Sequence, residues 1–186
     1  FVTSVYNTYE SLPSNTIYEE IIVFEYAESF ESGDFQEFNW TLSGDADWTI
    51  DTTEAYDGNN SAVSGDIDNN QESILSAQVN ILTSGDMSFA IRTSADTGDA
   101  LEFYVDDELY QAWSGENEWF VYTTEILSGL HTLEWKYSKD SSGSSGDDSV
   151  WLDAIVLPDW NYQLPPVNPQ ANGTVDGIEL TWQAPT

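Results

Sequence analysis

Between Gly129 and Asp140 the residues His131, Leu133, Trp135 and Tyr137 alternate with Thr132, Glu134, Lys136 and Ser138. A period of two is that of a strand with one buried face, whereas apolar positions on a helix recur every three or four residues. Gly129 opens the segment and Ser141-Ser142-Gly143-Ser144-Ser145-Gly146 closes it as a loop. Upstream, Leu101, Phe103 and Val105 alternate with Glu102, Tyr104 and Asp106; downstream, Val150 to Leu157 is apolar except for Asp153. A carboxylate inside an apolar strand is costly unless hydrogen bonds or a cation compensate it.

The rest of residues 24 to 158 repeats this grammar. Short strands are expected over Phe38 to Leu42, Trp48 to Asp51, Ser61 to Ser64, Ser73 to Leu82, Met87 to Ser94, Leu101 to Asp106, Leu109 to Trp113, Trp119 to Ile126, Leu130 to Ser138 and Val150 to Leu157. Gly33-Asp34, Gly44-Asp45, Asp57-Gly58-Asn59-Asn60, Gly85-Asp86 and Gly98-Asp99 punctuate them as turns. Ten short strands without helical periodicity predict an all-β, antiparallel sandwich of jelly-roll type. Hydrophobic residues make up 40% of the chain and aromatic residues 14%, which supplies a real core.

Charge narrows the range of partners. Thirty-four acidic residues stand against three basic ones, a net charge of −31. Such a surface repels nucleic acid and anionic membranes, and it suits salty water or a calcium-bearing exterior. No apolar run approaches a membrane span and no signal peptide is visible, so membrane insertion is not expected. There is no cysteine to form a disulfide. The first residue is Phe1 rather than Met, from which we expect an internal piece of a longer protein.

The two ends read differently from the middle. Residues 1–22, with Tyr6, Tyr9 and Glu10-Ser11-Leu12-Pro13-Ser14-Asn15, resemble the last strands of a fibronectin type III domain. After a linker over 159–168, residues 165–186 resemble the first strands of such a domain, with Pro165-Pro166 at the entry edge and Trp182 as the core tryptophan. An ending comes first and a beginning last. Either the chain is cropped from a tandem array, or half-domains complete each other within the chain or between neighbours in a filament.

Between these flanks, six blocks occur in order: Glu28-Ser29-Phe30-Glu31-Ser32-Gly33, Asp47-Trp48-Thr49-Ile50-Asp51, Tyr56-Asp57-Gly58-Asn59-Asn60-Ser61, Trp113-Ser114-Gly115-Glu116, Gly129-Leu130-His131-Thr132-Leu133-Glu134-Trp135 and Trp151-Leu152-Asp153-Ala154-Ile155. Over residues 24–158 the chain resembles the MAM-like jelly-roll domains of bacterial surface proteins, which are related to gingipain-type adhesin domains. The resemblance implies a structural calcium ion joining Glu31 to Asp153. Asp45, Asp99 and Asp148, with Asp47 and Asp147, are further candidate ligands because turns bring carbonyls and carboxylates together. The chain departs from the family where Ala154 stands in place of a second acidic residue. The other reading of Asp153 is a carboxylate bound by backbone amides or paired with Lys136 or Lys139.

Catalytic chemistry has little support. His131 is the only histidine, expected as an inward packed ring with one nitrogen satisfied, and nothing announces an orienting acid or oxyanion hole for Ser141 or Ser144 beside it. With so many carboxylates any acidic pair is uninformative, and no zinc or phosphate-loop spacing occurs. Eight tryptophans raise a sugar-stacking alternative, for which Trp113 and Trp119 are the candidate rings and Trp135 and Trp182 the expected core. We therefore expect a non-enzymatic, calcium-stabilised adhesive module of a large repetitive protein at the bacterial cell surface. Its partners would be neighbouring modules and a glycan or protein ligand. The alternative is a carbohydrate-binding module attached to a secreted enzyme.

Overall fold

The computed structural model describes residues 27–36 and 38–161, together with the backbone of 5–6, 9–10, 167–174 and 177–183. The flanks contribute two antiparallel ribbons, β1 (Val5–Tyr6) with β2 (Tyr9–Glu10) and β14 (Val167–Thr174) with β15 (Gly177–Gln183). The remainder of both ends, and with it the expectation of partial fibronectin type III domains, lies outside the described residues.

The body holds β3 (Trp40–Gly44), β4 (Thr49–Asp51), β5 (Ser61–Val63), β6 (Glu72–Ile81), β7 (Gly85–Ser94), β8 (Ala100–Val105), β9 (Glu108–Ser114), β10 (Glu116–Ile126), β11 (Gly129–Ser138) and β12 (Ser149–Val156), then the short β13 (Trp160–Asn161). Each of β3 to β12 overlaps one of the ten expected strands. One sheet runs β10-β7-β12-β5-β4; the other runs β13-β6-β11-β8-β9, with β3 also paired to β6. All pairings are antiparallel. This is the predicted antiparallel sandwich of jelly-roll type.

Alternation decides which sheet face goes inside. On β11 Leu133, Trp135 and Tyr137 are buried, and their partners in register are Ala77, Leu75 and Ser73 on β6 and Val105, Phe103 and Leu101 on β8. From the opposite sheet β7 sends Met87, Phe89 and Ile91 inward. Phe89 meets Trp135 edge-on, with centroids 5.2 Å apart and planes at 81°, and Phe103 at 4.8 Å. Edge-to-face contacts of this kind add roughly 0.5–1.5 kcal/mol each beyond the area they bury. A second aromatic group, Phe30, Phe38, Trp40 and Trp160, closes one end of the core.

Strand β12 departs from simple alternation. Val150 and Leu152 point into the core, Trp151 and Asp153 point to the outer side of the five-stranded sheet, and a register shift follows Asp153. Ala154 sits in that bulge at φ 51°, a left-handed conformation uncommon for a residue with a side chain. The extra residue returns Ile155 to the core.

His131 differs from expectation. It is half-buried at the β11 entrance, and both ring nitrogens are engaged: Nδ1 lies 2.7 Å from Asp106 Oδ2 and Nε2 lies 3.0 Å from the Leu127 carbonyl. Asp106 and Asp107, both at positive φ, make the tight β8–β9 turn that brings this carboxylate back over β11.

Truncating the cross-sheet ring tests this packing. Phe89→Ala should cost about 3–5 kcal/mol in denaturant unfolding, while Leu130→Ala, at a position 53% exposed, should stay within about 0.5 kcal/mol.

Candidate functional site

The outer side of the five-stranded sheet is assembled from alternate residues of five strands. Arg92 on β7 lies opposite Trp151 on β12, which lies opposite Val63 on β5, and Val121, Ala90 and Asp153 form the neighbouring row. The Arg92 guanidinium stacks over the Trp151 ring at 4.3 Å and pairs with Asp147 at 3.1 Å. Trp151 donates its indole N–H to Asp51 Oδ2 at 2.8 Å. Burial acts to raise the Asp51 carboxyl, but hydrogen bonds from Trp151, Thr53 and Glu54 outweigh it and hold the group below its ordinary range.

The loop from Asp51 to Ser61 folds over one side of this face, and two carboxylates grip it. Asp153 Oδ2 accepts the amides of Tyr56 and Asp57 at 2.9 and 3.0 Å, and Oδ1 accepts that of Ala154 at 2.6 Å. Glu31 Oε1 accepts the amides of Asn59 and Asn60, both at 2.8 Å. Gly58 sits between these anchors at φ 67°, where an added Cβ would lie 2.4 Å from the Glu31 carboxylate. Glycine suits the left-handed φ here and leaves room for the carboxylate.

The grip brings a ring into place. Tyr56, 45% exposed, stands beside Trp119 of β10 with ring centroids 6.1 Å apart and planes at 54°. The Trp119 indole nitrogen is buried without a hydrogen-bond partner. Trp113 occupies a different place: it projects towards the interior and packs on Phe89, Phe120 and Tyr122. Of the two candidate rings only Trp119 reaches the outer face. Tyr56, Arg92, Trp151 and Asp51 are site residues that sequence reasoning missed. Strand alternation does place Arg92 on the face opposite Phe89 and Ile91, whereas the Tyr56 pairing depends on a loop.

The five expected metal ligands separate into three places. Glu31 and Asp153 meet at loop 56–60. Asp99 and Asp148 lie together around Lys139, far along β11 from His131. Asp45 is alone in the turn after β3, where its Oδ2 accepts the Glu72 amide at 2.9 Å. Among the described residues no three His, Cys, Asp or Glu side chains converge as metal ligands. Lys136 pairs with Glu102 and Lys139 with Asp148, so neither neutralises Asp153. Asp153 is wholly buried and no basic side chain pairs with it among the described residues; desolvation, only partly offset by the amides of Asp57, Ala154 and Tyr56, pushes its carboxyl up to about 6. Ser141 and Ser144 follow the far end of β11, so His131 is not within reach of either hydroxyl.

Neither protein-family models nor curated protein sequences match the chain. Solved structures do. The K3 adhesin domain of Lys-gingipain from Porphyromonas gingivalis superposes with a TM-score of 0.54 at 12% identity, over 71% of this chain and 97% of that one. The module TmCBM61, solved in complex with β-1,4-galactotriose, superposes with a TM-score of 0.53 at 18% identity, over 71% and 97%. A secreted serine protease of Vibrio cholerae, VesC, is matched at a TM-score of 0.48 and 16% identity over 61% of this chain, and the chain spans 24% of its length. Residues 27–161 thus have the jelly-roll fold shared by gingipain-type adhesin domains and carbohydrate-binding modules. No helix of the described residues is long and apolar enough to cross a membrane.

A raised carboxyl pKa has a definite sign in stability. Between the unfolded value near 4 and the folded value near 6 the native state holds more protons, so this group makes stability fall as pH rises through that window. In EDTA, the unfolding free energy of the wild type should decline from about pH 4 to about pH 6 by no more than about 3 kcal/mol on account of Asp153. Asp153→Asn should flatten that slope, read by denaturant titrations at each pH.

Proposed function

We propose that the chain is a non-enzymatic adhesive module of a bacterial extracellular protein, and that it binds through the outer face of its five-stranded sheet. The observation that carries this reading is the anchored loop at Tyr56, which sets an exposed ring beside Trp119 next to the Arg92–Trp151 stack. His131 has both ring nitrogens engaged, by Asp106 and by the Leu127 carbonyl, which supports a structural role for it over a catalytic one. The high negative charge keeps such a module soluble and separate from its neighbours in an array.

Calcium is part of the proposal. Asp153 is a buried carboxylate with no basic partner among the described residues, and Glu31 grips the same loop, so two carboxylates of the kind that calcium takes hold one segment. Bound there, the ion would replace amide donors as the partner of Asp153 and tie the start of the body, at Glu31, to β12. Millimolar calcium at a micromolar site adds about 4 kcal/mol. We expect a large rise in the unfolding midpoint with Ca²⁺ over EDTA, absent in Asp153→Asn; equal midpoints in the two media would remove the ion.

The Tyr56–Trp119 pair specifically favours a second reading, a carbohydrate-binding module, because adjacent aromatic faces stack on sugar rings. TmCBM61 is a structure of this fold with a galactotriose bound. On a glycan array, Tyr56→Ala and Trp119→Ala should each abolish or strongly weaken any binding, with Trp113→Ala as the core control. A protein ligand without sugar specificity would leave the array blank while retaining cell or protein adhesion.

A further inference from the structure

At the opposite end of β11 from His131, Lys139 is in contact with Asp148, and the buried Asp99 lies close enough for both charges to act on it. Lys139 follows the last residue of β11 and Asp148 precedes the first of β12, strands that belong to different sheets. The Lys139 side chain is 3% exposed and its Nζ is in contact with Asp148 Oδ2 and 3.2 Å from Ser144 Oγ. Backbone bonds fix its position, since the Lys139 amide donates to the Gln71 carbonyl and the Asn70 amide to the Asp140 carbonyl. The Tyr137 hydroxyl, at the edge of the core, donates to Asp148 Oδ1 at 3.2 Å and holds the carboxylate plane. Asp148 itself sits at φ 56°.

Asp99 completes the group. It is wholly buried, its Oδ1 accepts the Asp140 amide at 2.9 Å, and its Oδ2 has no partner. Desolvation pushes its carboxyl above the ordinary range, against the pull of the Asp140 amide and Lys139. A buried carboxylate with an unused oxygen is a group that favours its neutral acid form, and such an acid donates and relays protons.

We propose that Lys139 and Asp148 join in an intramolecular isopeptide bond, with Asp99 as the proton relay. One proton passes from the Lys139 ammonium to the Asp148 carboxylate, leaving a neutral amine and a carboxylic acid. The Nζ lone pair adds to Asp148 Cγ while neutral Asp99 hydrogen-bonds the carbonyl oxygen. Asp99 then takes up a second amine proton and passes one to the departing hydroxyl, which leaves as water. One C–N bond forms and one C–O bond breaks, nothing is oxidised or reduced, and no co-reactant is needed. Contact between the reacting groups supplies the effective concentration that an intermolecular amide synthesis lacks. A cleft of about 450 Å³, lined by Asp66, Asp68 and Ser144 among others, opens beside Lys139 and gives the water an exit. The bond would tie the two sheets at this end and close the Ser141–Gly146 loop against unravelling.

Intact mass of the whole 186-residue chain under denaturing conditions tests this directly. The wild type should weigh one water less than its sequence, and digestion should release a branched peptide joining Lys139 to Asp148. Asp148→Ala and Lys139→Arg should show full mass. Asp148→Asn should lose ammonia instead and finish at the same mass as the wild type. Asp99→Asn should keep the strand spectrum by circular dichroism yet remain at full mass or lose water far more slowly. Full sequence mass in the wild type leaves an ordinary ion pair and overturns the proposal, as does water loss without the branched peptide, the mark of a succinimide elsewhere. A cross-link that forms equally fast in Asp99→Asn overturns the relay.

Discussion

Contact between Phe89 on one sheet and the Trp135–Phe103 pair on the other is the interaction on which the rest of this sandwich depends. These rings fill the gap of about 10 Å between packed sheets. They also lock register, because a slip of one residue along β11 would carry Leu133, Trp135 and Tyr137 to the solvent side together. With that register held, the opposite faces of β7 and β12 are obliged to present Arg92, Trp151 and Asp153 outward. The face proposed to bind is thus a consequence of the core.

Asp153 is the point where core and surface meet. It lies on the outer side of the sheet yet is covered, because the loop it binds closes over it. The bulge at Ala154 serves both sides: it offers an amide to Asp153 and returns Ile155 to the interior. A carboxylate in that position holds backbone donors in the absence of a cation and offers a charge partner in its presence. On the proposed calcium reading, that double capacity would link loop order, and so the placement of Tyr56, to the ionic conditions around the module.

Three basic side chains serve a chain with thirty-four acidic ones, and each has a named partner. Arg92 pairs with Asp147, Lys136 with Glu102, and Lys139 with Asp148. Surface ion pairs contribute little, but the Lys139 side chain is buried, and a buried ammonium costs desolvation that its single carboxylate partner must offset. Converting it to an amide would remove both charges at once. The loop between β11 and β12 would then be held covalently at both ends, independent of salt.

Much of this was legible in the order of residues. Period-two alternation in 129–138, 101–105 and 72–81 dictated strands, and their number and spacing dictated a sandwich, because backbone pleat and side-chain direction are local properties. The oddity of Asp153 was equally visible, whereas Glu31 came only from the family resemblance, as an expected calcium ligand, and its hold on the amides of Asn59 and Asn60 came from the structure. What composition could not supply was company. Which aspartate meets which amide, that Trp119 faces out beside Tyr56 while Trp113 turns in, and that Asp99 and Asp148 converge on Lys139 rather than on Glu31, are outcomes of pairing between residues dozens of positions apart. Register and loop closure decide those neighbours, and both are settled only when the two sheets close on their shared aromatic core.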